Sequence, residues 1–114
     1  MQGSNKGWKI LFYEDHRGNS PPLDFINGLP AKERAKVDYG LRLLCEFGLA
    51  LGMPHARRIE DELWELRPGK NRLLYCVYSE RQVIVLHGFR KTTREAPEKH
   101  KRIARARIQD IFEA

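Results

Sequence analysis

Apolar and polar positions follow two different rhythms along the 114 residues. The run Trp8-Lys9-Ile10-Leu11-Phe12-Tyr13 is aromatic and β-branched, the composition of a strand, and Asp15 to Ser20 after it are turn residues. Asn19 or Ser20 stands where a helix cap belongs, with Pro21 or Pro22 in the first turn. The pattern therefore predicts a short helix through Leu23, Phe25 and Ile26 to Gly28. A longer helix begins near Pro30. In it Val37, Leu41, Leu44, Cys45 and Gly48 fall at i, i+4, i+7, i+8 and i+11, the spacing of one buried stripe. Lys32, Glu33, Lys36 and Arg42 lie off that stripe, and Gly48, Gly52 and Pro54 end the helix. Only Gly28-Leu29 separates the two helices, which predicts a helical hairpin.

Three strand-like runs follow. Glu62 to Arg67 alternates, with Trp64 and Leu66 on one face and Glu65 and Arg67 on the other. Pro68-Gly69-Lys70-Asn71 is a turn. Arg72 to Tyr78 is almost continuously apolar and aromatic, and so is Gln82 to Phe89, with Ser79-Glu80-Arg81 between them. Runs this closely spaced imply an antiparallel meander. From Pro97 the rhythm is helical again, with Ala104, Ile108, Ile111 and Phe112 on one face and Lys99, Lys101, Arg102, Arg105 and Arg107 around the rest. The expected architecture is α+β, in the order β-α-α-β-β-β-α: a four-stranded antiparallel or mixed sheet with an N-terminal helical hairpin and a C-terminal helix. The helices are expected on one face, the other being partly open. Residues 8–114 read as one domain, and the polar residues 1–7 as a flexible N-terminus.

Charge adds a direction to this picture. The formal net charge is +6, and residues 63–107 hold 12 Lys/Arg against 4 Asp/Glu, a net of +8. A field gathered in one part of a chain suits a polyanionic partner, and the plain alternative is a solvated basic face. Cys45 and Cys76 sit among apolar neighbours and read as small core residues. The four histidines, His16, His55, His87 and His100, have no metal-ligand spacing, so neither a metal nor a cofactor is expected. No apolar run reaches the roughly 20 residues of a membrane span. No signal core precedes Trp8, so the cytoplasm is the default compartment.

Taken in order, Leu63-Trp64-Glu65-Leu66-Arg67, then Arg72 with Tyr75 and Tyr78, then Val85-Leu86-His87-Gly88-Phe89-Arg90-Lys91-Thr92-Thr93, then Pro97, resemble the RelE/ParE superfamily of toxins. Within it the series is most similar to the HigB-like, phage-derived branch, and the resemblance covers residues 8–112. It implies a compact antiparallel sheet flanked by helices. It also implies a toxin of a type II toxin–antitoxin system, a metal-independent endoribonuclease that cleaves mRNA during translation on the ribosome. The implied partner is an antitoxin with a helix-turn-helix domain, operator DNA being bound only through the complex.

Cleavage by the substrate's own 2′-hydroxyl needs cations for the phosphorane-like transition state and groups that move two protons. Arg72 matches the arginine this family places on its central strand, and its fork suits two phosphate oxygens. The plain alternative is an ion pair, for instance with Glu65. Lys91 matches a cation near the scissile phosphate, or is an exposed loop lysine. Arg67 shares a face with Glu65, which reads as an orienting carboxylate or a base. His87 is a candidate acid or base, although alternation groups it with Val85 and Phe89 on a packed side. Arg90, Arg94, Lys70, Lys99 and Arg102 are candidates for holding RNA backbone, against the reading of a solvated face. Some RelE-type enzymes carry two lysines on the second strand, and Leu63 and Glu65 stand there instead. Pro97 falls near the place of their C-terminal tyrosine, so no general base is carried over. Two other classes share the fold or the charge: a ParE-like gyrase inhibitor without RNase activity, and a non-catalytic nucleic-acid-binding module.

Overall fold

Strand β1 (Lys9–Phe12) leads through a turn held by Asp15 into α1 (Pro21–Asn27) and α2 (Ala31–Phe47). These come from a computed structural model that describes residues 7–92 and 98–113. Residues 1–6, most of the segment expected to be flexible, lie outside the described residues, as do Arg94 and Pro97. Ser20 occupies the N-cap position of α1, but its hydroxyl donates to the Tyr13 carbonyl at 2.7 Å rather than capping the helix. Val37, Gly40 and Leu44 form the buried stripe of α2. Cys45, expected in the core, is exposed, because it stands at the margin of that stripe. Its thiol donates to the Trp8 carbonyl at 3.0 Å.

Gly48 ends α2 with φ +55, and a Cβ there would lie 2.1 Å from the Trp8 indole. Only glycine permits both the backbone turn and this approach. After a 3-10 turn come β2 (Ala56–Glu60), β3 (Leu63–Leu66), β4 (Asn71–Ser79), β5 (Gln82–Arg90) and α3 (Glu98–Glu113). Among the described residues the sheet thus has five strands, not the four expected, in the order β1-β5-β4-β3-β2. The additional strand is β2. It carries Arg57, Arg58 and Glu60 and lacks an apolar run; its antiparallel ladder to β3 makes it a strand. The expected meander spans β2 to β5, and β1 closes the other edge in parallel with β5.

Both faces of the sheet are covered, not one. On one face α1 and α2 pack Ile26, Val37 and Leu44 against Leu66, Leu73, Tyr75, Val83 and Val85. Under α3 lie Leu63, Leu74, Cys76, Ile84, Leu86 and Phe89, with Ala104, Ile108 and Ile111 facing them. Fully buried leucines such as Leu74 and Leu86 contribute roughly 2 kcal/mol each by removal from water. The apolar stripe of α3 needs such a surface, so the second face could not stay open. Among the described residues no helix is long and apolar enough to cross a membrane.

One irregularity positions the site. Leu74 pairs with His87 but Tyr75 pairs with Val85, so Leu86 is an extra residue, a bulge in β5. Before it Val83 and Val85 face α2, and after it Phe89 faces α3. Val85 and Phe89, grouped by simple alternation, therefore lie on opposite faces. Gly88 lies on the α1 side, where a Cβ would meet Phe25 at 2.4 Å and Leu73 at 3.0 Å.

Candidate nucleic-acid interface

On the α3 face, toward the turn that opens β4, three adjacent strands each contribute a guanidinium. Glu65 of β3 is 1% exposed and accepts, through one oxygen, from Arg57 of β2 at 2.9 Å and from Arg67 just past β3 at 3.0 Å. Arg72 of β4 is 7% exposed and donates from one terminal nitrogen to the Gly69 and Asn71 carbonyls, each at 2.8 Å. Burial, with Arg67 and then Arg57 beside it, pulls the Arg72 pKa down, and Glu65 pulls it up. Arg57, Arg67 and Arg72 against Glu65 leave a surplus of two positive charges around one buried carboxylate. A guanidinium stays protonated under such pressure, so the surplus persists. Two carbonyls and a carboxylate hold the three forks without neutralising them, a preorganised anion site.

Beside the cluster is an aromatic stack. Phe89 is the cross-strand partner of Arg72, and its ring lies against that of His100 at 3.9 Å between centroids and 6° between planes. His87 stacks on Phe89 from the same strand, and its Nε2 is 2.7 Å from Nδ1 of His100. Burial, then His100, then Arg107 push the His87 pKa down to about 4. Burial, then Lys99, also lowers that of His100. Both shifts favour the neutral imidazole.

Arg72, Arg67 and His87 all lie on this face. Lys91 follows β5, with its N–H bonded to the Lys70 carbonyl at 2.8 Å, and strand alternation gives it the side of Phe89. Lys70 and Arg90 turn the other way, toward α2. Arg90 pairs with Glu33 at 2.8 Å, and Lys70 helps hold the Glu33 carboxyl below its usual range after Asn71 and Arg90. Lys99 and Arg102 are exposed on α3. Arg94 is outside the described residues. Three participants went unread in the sequence. Arg57 sits on the strand that periodicity missed. His100 stands four residues before Ala104, so extending the apolar stripe of α3 by one turn would have placed it on the sheet. Arg107 lies off that stripe, yet donates to the Leu86 carbonyl at 2.7 Å.

An open groove of about 750 Å³ lies between α3 and the β2–β4 region and is lined by Trp64, Val77, Ile108 and Phe112 among others. It includes none of Arg57, Arg67, Arg72, His87 or His100, so the polar cluster and the apolar groove are separate features. Among the described residues no three His, Cys, Asp or Glu side chains group as metal ligands.

The family model described as phage-derived protein Gp49-like matches residues 24–109. No curated protein sequence matches the chain. Among solved structures, the archaeal RelE–RelB complex from Pyrococcus horikoshii OT3 aligns with a TM-score of 0.58 and 13% identity, over 77% of this chain and 98% of that one. The toxin–antitoxin complex RelBE2 from Mycobacterium tuberculosis aligns with a TM-score of 0.55 and 18% identity, over 75% of this chain and 99% of that one. A double arginine-to-alanine variant of the E. coli toxin RelE in the free state gives 0.50 and 21%, over 93% and 99%. At these identities the likeness is one of fold.

Proposed function

Because the chain belongs to the phage-derived Gp49-like family and has the fold of the RelE toxins, we propose that it is the toxin of a toxin–antitoxin pair, an endoribonuclease acting on translated mRNA. The observation that carries this reading is the convergence of Arg57, Arg67 and Arg72, from neighbouring strands, around Glu65 on one sheet face. In the proposed reaction the 2′-oxygen of a ribose attacks the adjacent phosphorus, forming the P–O2′ bond as the P–O5′ bond breaks. The proton leaves the 2′-hydroxyl and another reaches the 5′-oxygen. Charge accumulates on the non-bridging oxygens, where a preorganised guanidinium is worth most. Arg72 is the principal ligand, with Arg67, Arg57 and Lys91 adding positive field. RNA must be single-stranded here, since a backbone drawn into the cluster leaves its bases splayed, as single-strand readers require.

The solved structures with this fold include a toxin–antitoxin complex and a RelE–RelB complex. By the same reading this chain is neutralised by a helix-turn-helix antitoxin encoded beside it, meets operator DNA only within that complex, and works in the cytoplasm at the ribosome. Coexpression with the neighbouring gene tests the pairing: the two products should copurify and growth should be restored.

The function itself is tested by mapping mRNA 5′ ends minutes after induction in bacteria, with Arg72→Ala as control. New ends inside translated regions, absent in the variant, are expected. Growth arrest without new ends, accompanied by a DNA-damage response, would replace this reading with gyrase inhibition. No arrest at all would leave a non-catalytic binding module.

A further inference from the structure

Arg107, His87 and His100 form a line of contacts that reaches the arginine cluster through Phe89. An arginine N–H can only donate, and a neutral imidazole has one donor and one acceptor nitrogen. The Arg107 nitrogen that donates to the Leu86 carbonyl also lies 3.5 Å from Nδ1 of His87. That places a lone pair, not a proton, on His87 Nδ1. The His87 proton is then on Nε2 and is donated to His100 Nδ1, 2.7 Å away. A neutral His100 that accepts on Nδ1 carries its own proton on Nε2. Reversing the line would put the one N–H of His87 on Nδ1 and aim it at a guanidinium.

We infer that Arg107 sets the tautomers of a two-histidine relay, so that His100 presents Nε2–H as a neutral hydrogen-bond donor to a phosphodiester oxygen beside the arginine cluster. The phosphate part rests on the reading of that cluster as an RNA site; the tautomer part does not. His100 donates a hydrogen bond and transfers no proton, while His87 and Arg107 are positioning residues. Among the described residues, the charged and titratable groups that act on the two histidines, His100 and Arg107 on His87 and Lys99 on His100, all oppose a second proton. Lys99 and Arg107 stand on α3, and Arg72 lies opposite Phe89 on β4. Just past β1, Tyr13 donates to Asp110 at 2.7 Å, and its ring lies under the Arg107 guanidinium at 5.1 Å. Stacking on Phe89 fixes the plane of the His100 ring, so the direction of its N–H is set before any ligand arrives.

The test is a two-bond proton–nitrogen correlation spectrum of the full chain at pH 7. Both His87 and His100 should show a protonated Nε2 and a bare Nδ1. Arg107→Lys, which keeps a donor, should preserve the pattern, and Arg107→Met should lose it. A bare Nε2 on His100, or an imidazolium on either ring, would overturn the relay. A 2′-O-methylated oligoribonucleotide, which cannot be cleaved, is then titrated in. A shift of the His100 Nε2–H signal, absent in Arg72→Ala, supports the donor role. Binding that perturbs the Arg72 strand and leaves His100 unmoved overturns that role alone. No perturbation of either would overturn the RNA reading itself, leaving the tautomers standing. Once cleavage is in hand, its rate should not titrate near the ordinary histidine pKa of about 6.5, and an acid limb there would overturn the neutral-donor role.

Discussion

Replacing Glu65 by Gln keeps the shape of the side chain and removes the one negative charge among three guanidiniums. The carboxylate is 2% exposed at its side chain, whereas the Arg57 and Arg67 side chains are 42% and 20% exposed. Removing one partner of a fully buried ion pair costs about 3–5 kcal/mol. Water reaches both arginines here, so the loss should fall to about 2 kcal/mol, between that figure and the small worth of an exposed pair. For a chain of this size that is a drop of about 8 °C in Tm. The local charge rises by one, so binding of a methylated, uncleavable RNA at low salt should hold or tighten. Cleavage should fall at least about tenfold, because the neutral amide oxygen that replaces the shared carboxylate oxygen aims Arg67 and Arg57 more weakly, and transition-state stabilisation depends on orientation. The assay pairs a thermal melt with RNA binding and cleavage on the same preparation. An unchanged Tm would refute the claim that Glu65 organises the cluster. Weakened binding would refute the claim that it acts by geometry rather than by attraction. A double-mutant cycle with Arg57→Gln should show coupling between the two sites.

Other outcomes follow from the same geometry. Gly88→Ala places a methyl 2.4 Å from a Phe25 ring carbon, and the overpacking should destabilise by about 1–3 kcal/mol in chemical denaturation, with little loss of RNA binding per folded molecule. His87 has a folded pKa of about 4, below its unfolded value of about 6.5, so the unfolded chain binds the extra proton. Stability is therefore full above about pH 6.5 and declines as pH falls toward 4, by on the order of 3 kcal/mol; a His87→Gln variant measured over the same range should lose that slope. Three arginines on phosphates should give single-strand binding a log–log salt slope of about −2, and Arg72→Ala should bring it close to −1.4 in a titration series.

The helices were legible from local rhythm. An α-helix declares itself through neighbours three and four residues apart, so the stripes of α2 and α3 stand in the chain before anything packs on them. The central strands declared themselves through near-continuous apolar runs. β2 did not, because its residues owe their strand conformation to the ladder with β3 and carry charge outward. Arg72 and Arg67 could be singled out as cations at strand ends, and Glu65 as a carboxylate that orients an arginine, but Arg57 could not. Glu65 could be placed on the face of Arg67 by alternation, but its burial could not be read there. Its burial under two arginines depends on β2 lying alongside.

Local signals in the chain carried the α+β class, the order of most elements, the basic bias of residues 63–107 and the resemblance that names the family. They did so because propensity, periodicity and net charge are properties of short stretches. Tertiary structure alone decided which cations meet and which face they share. The bulge at Leu86 is one extra residue, invisible in a run of apolar side chains, yet it sends Phe89 to the face opposite Val85. The contact of His87 with His100 spans 13 positions and joins a strand to a helix. It exists only because the α3 stripe buries itself on the second face of the sheet, a long-range packing requirement that no local pattern states.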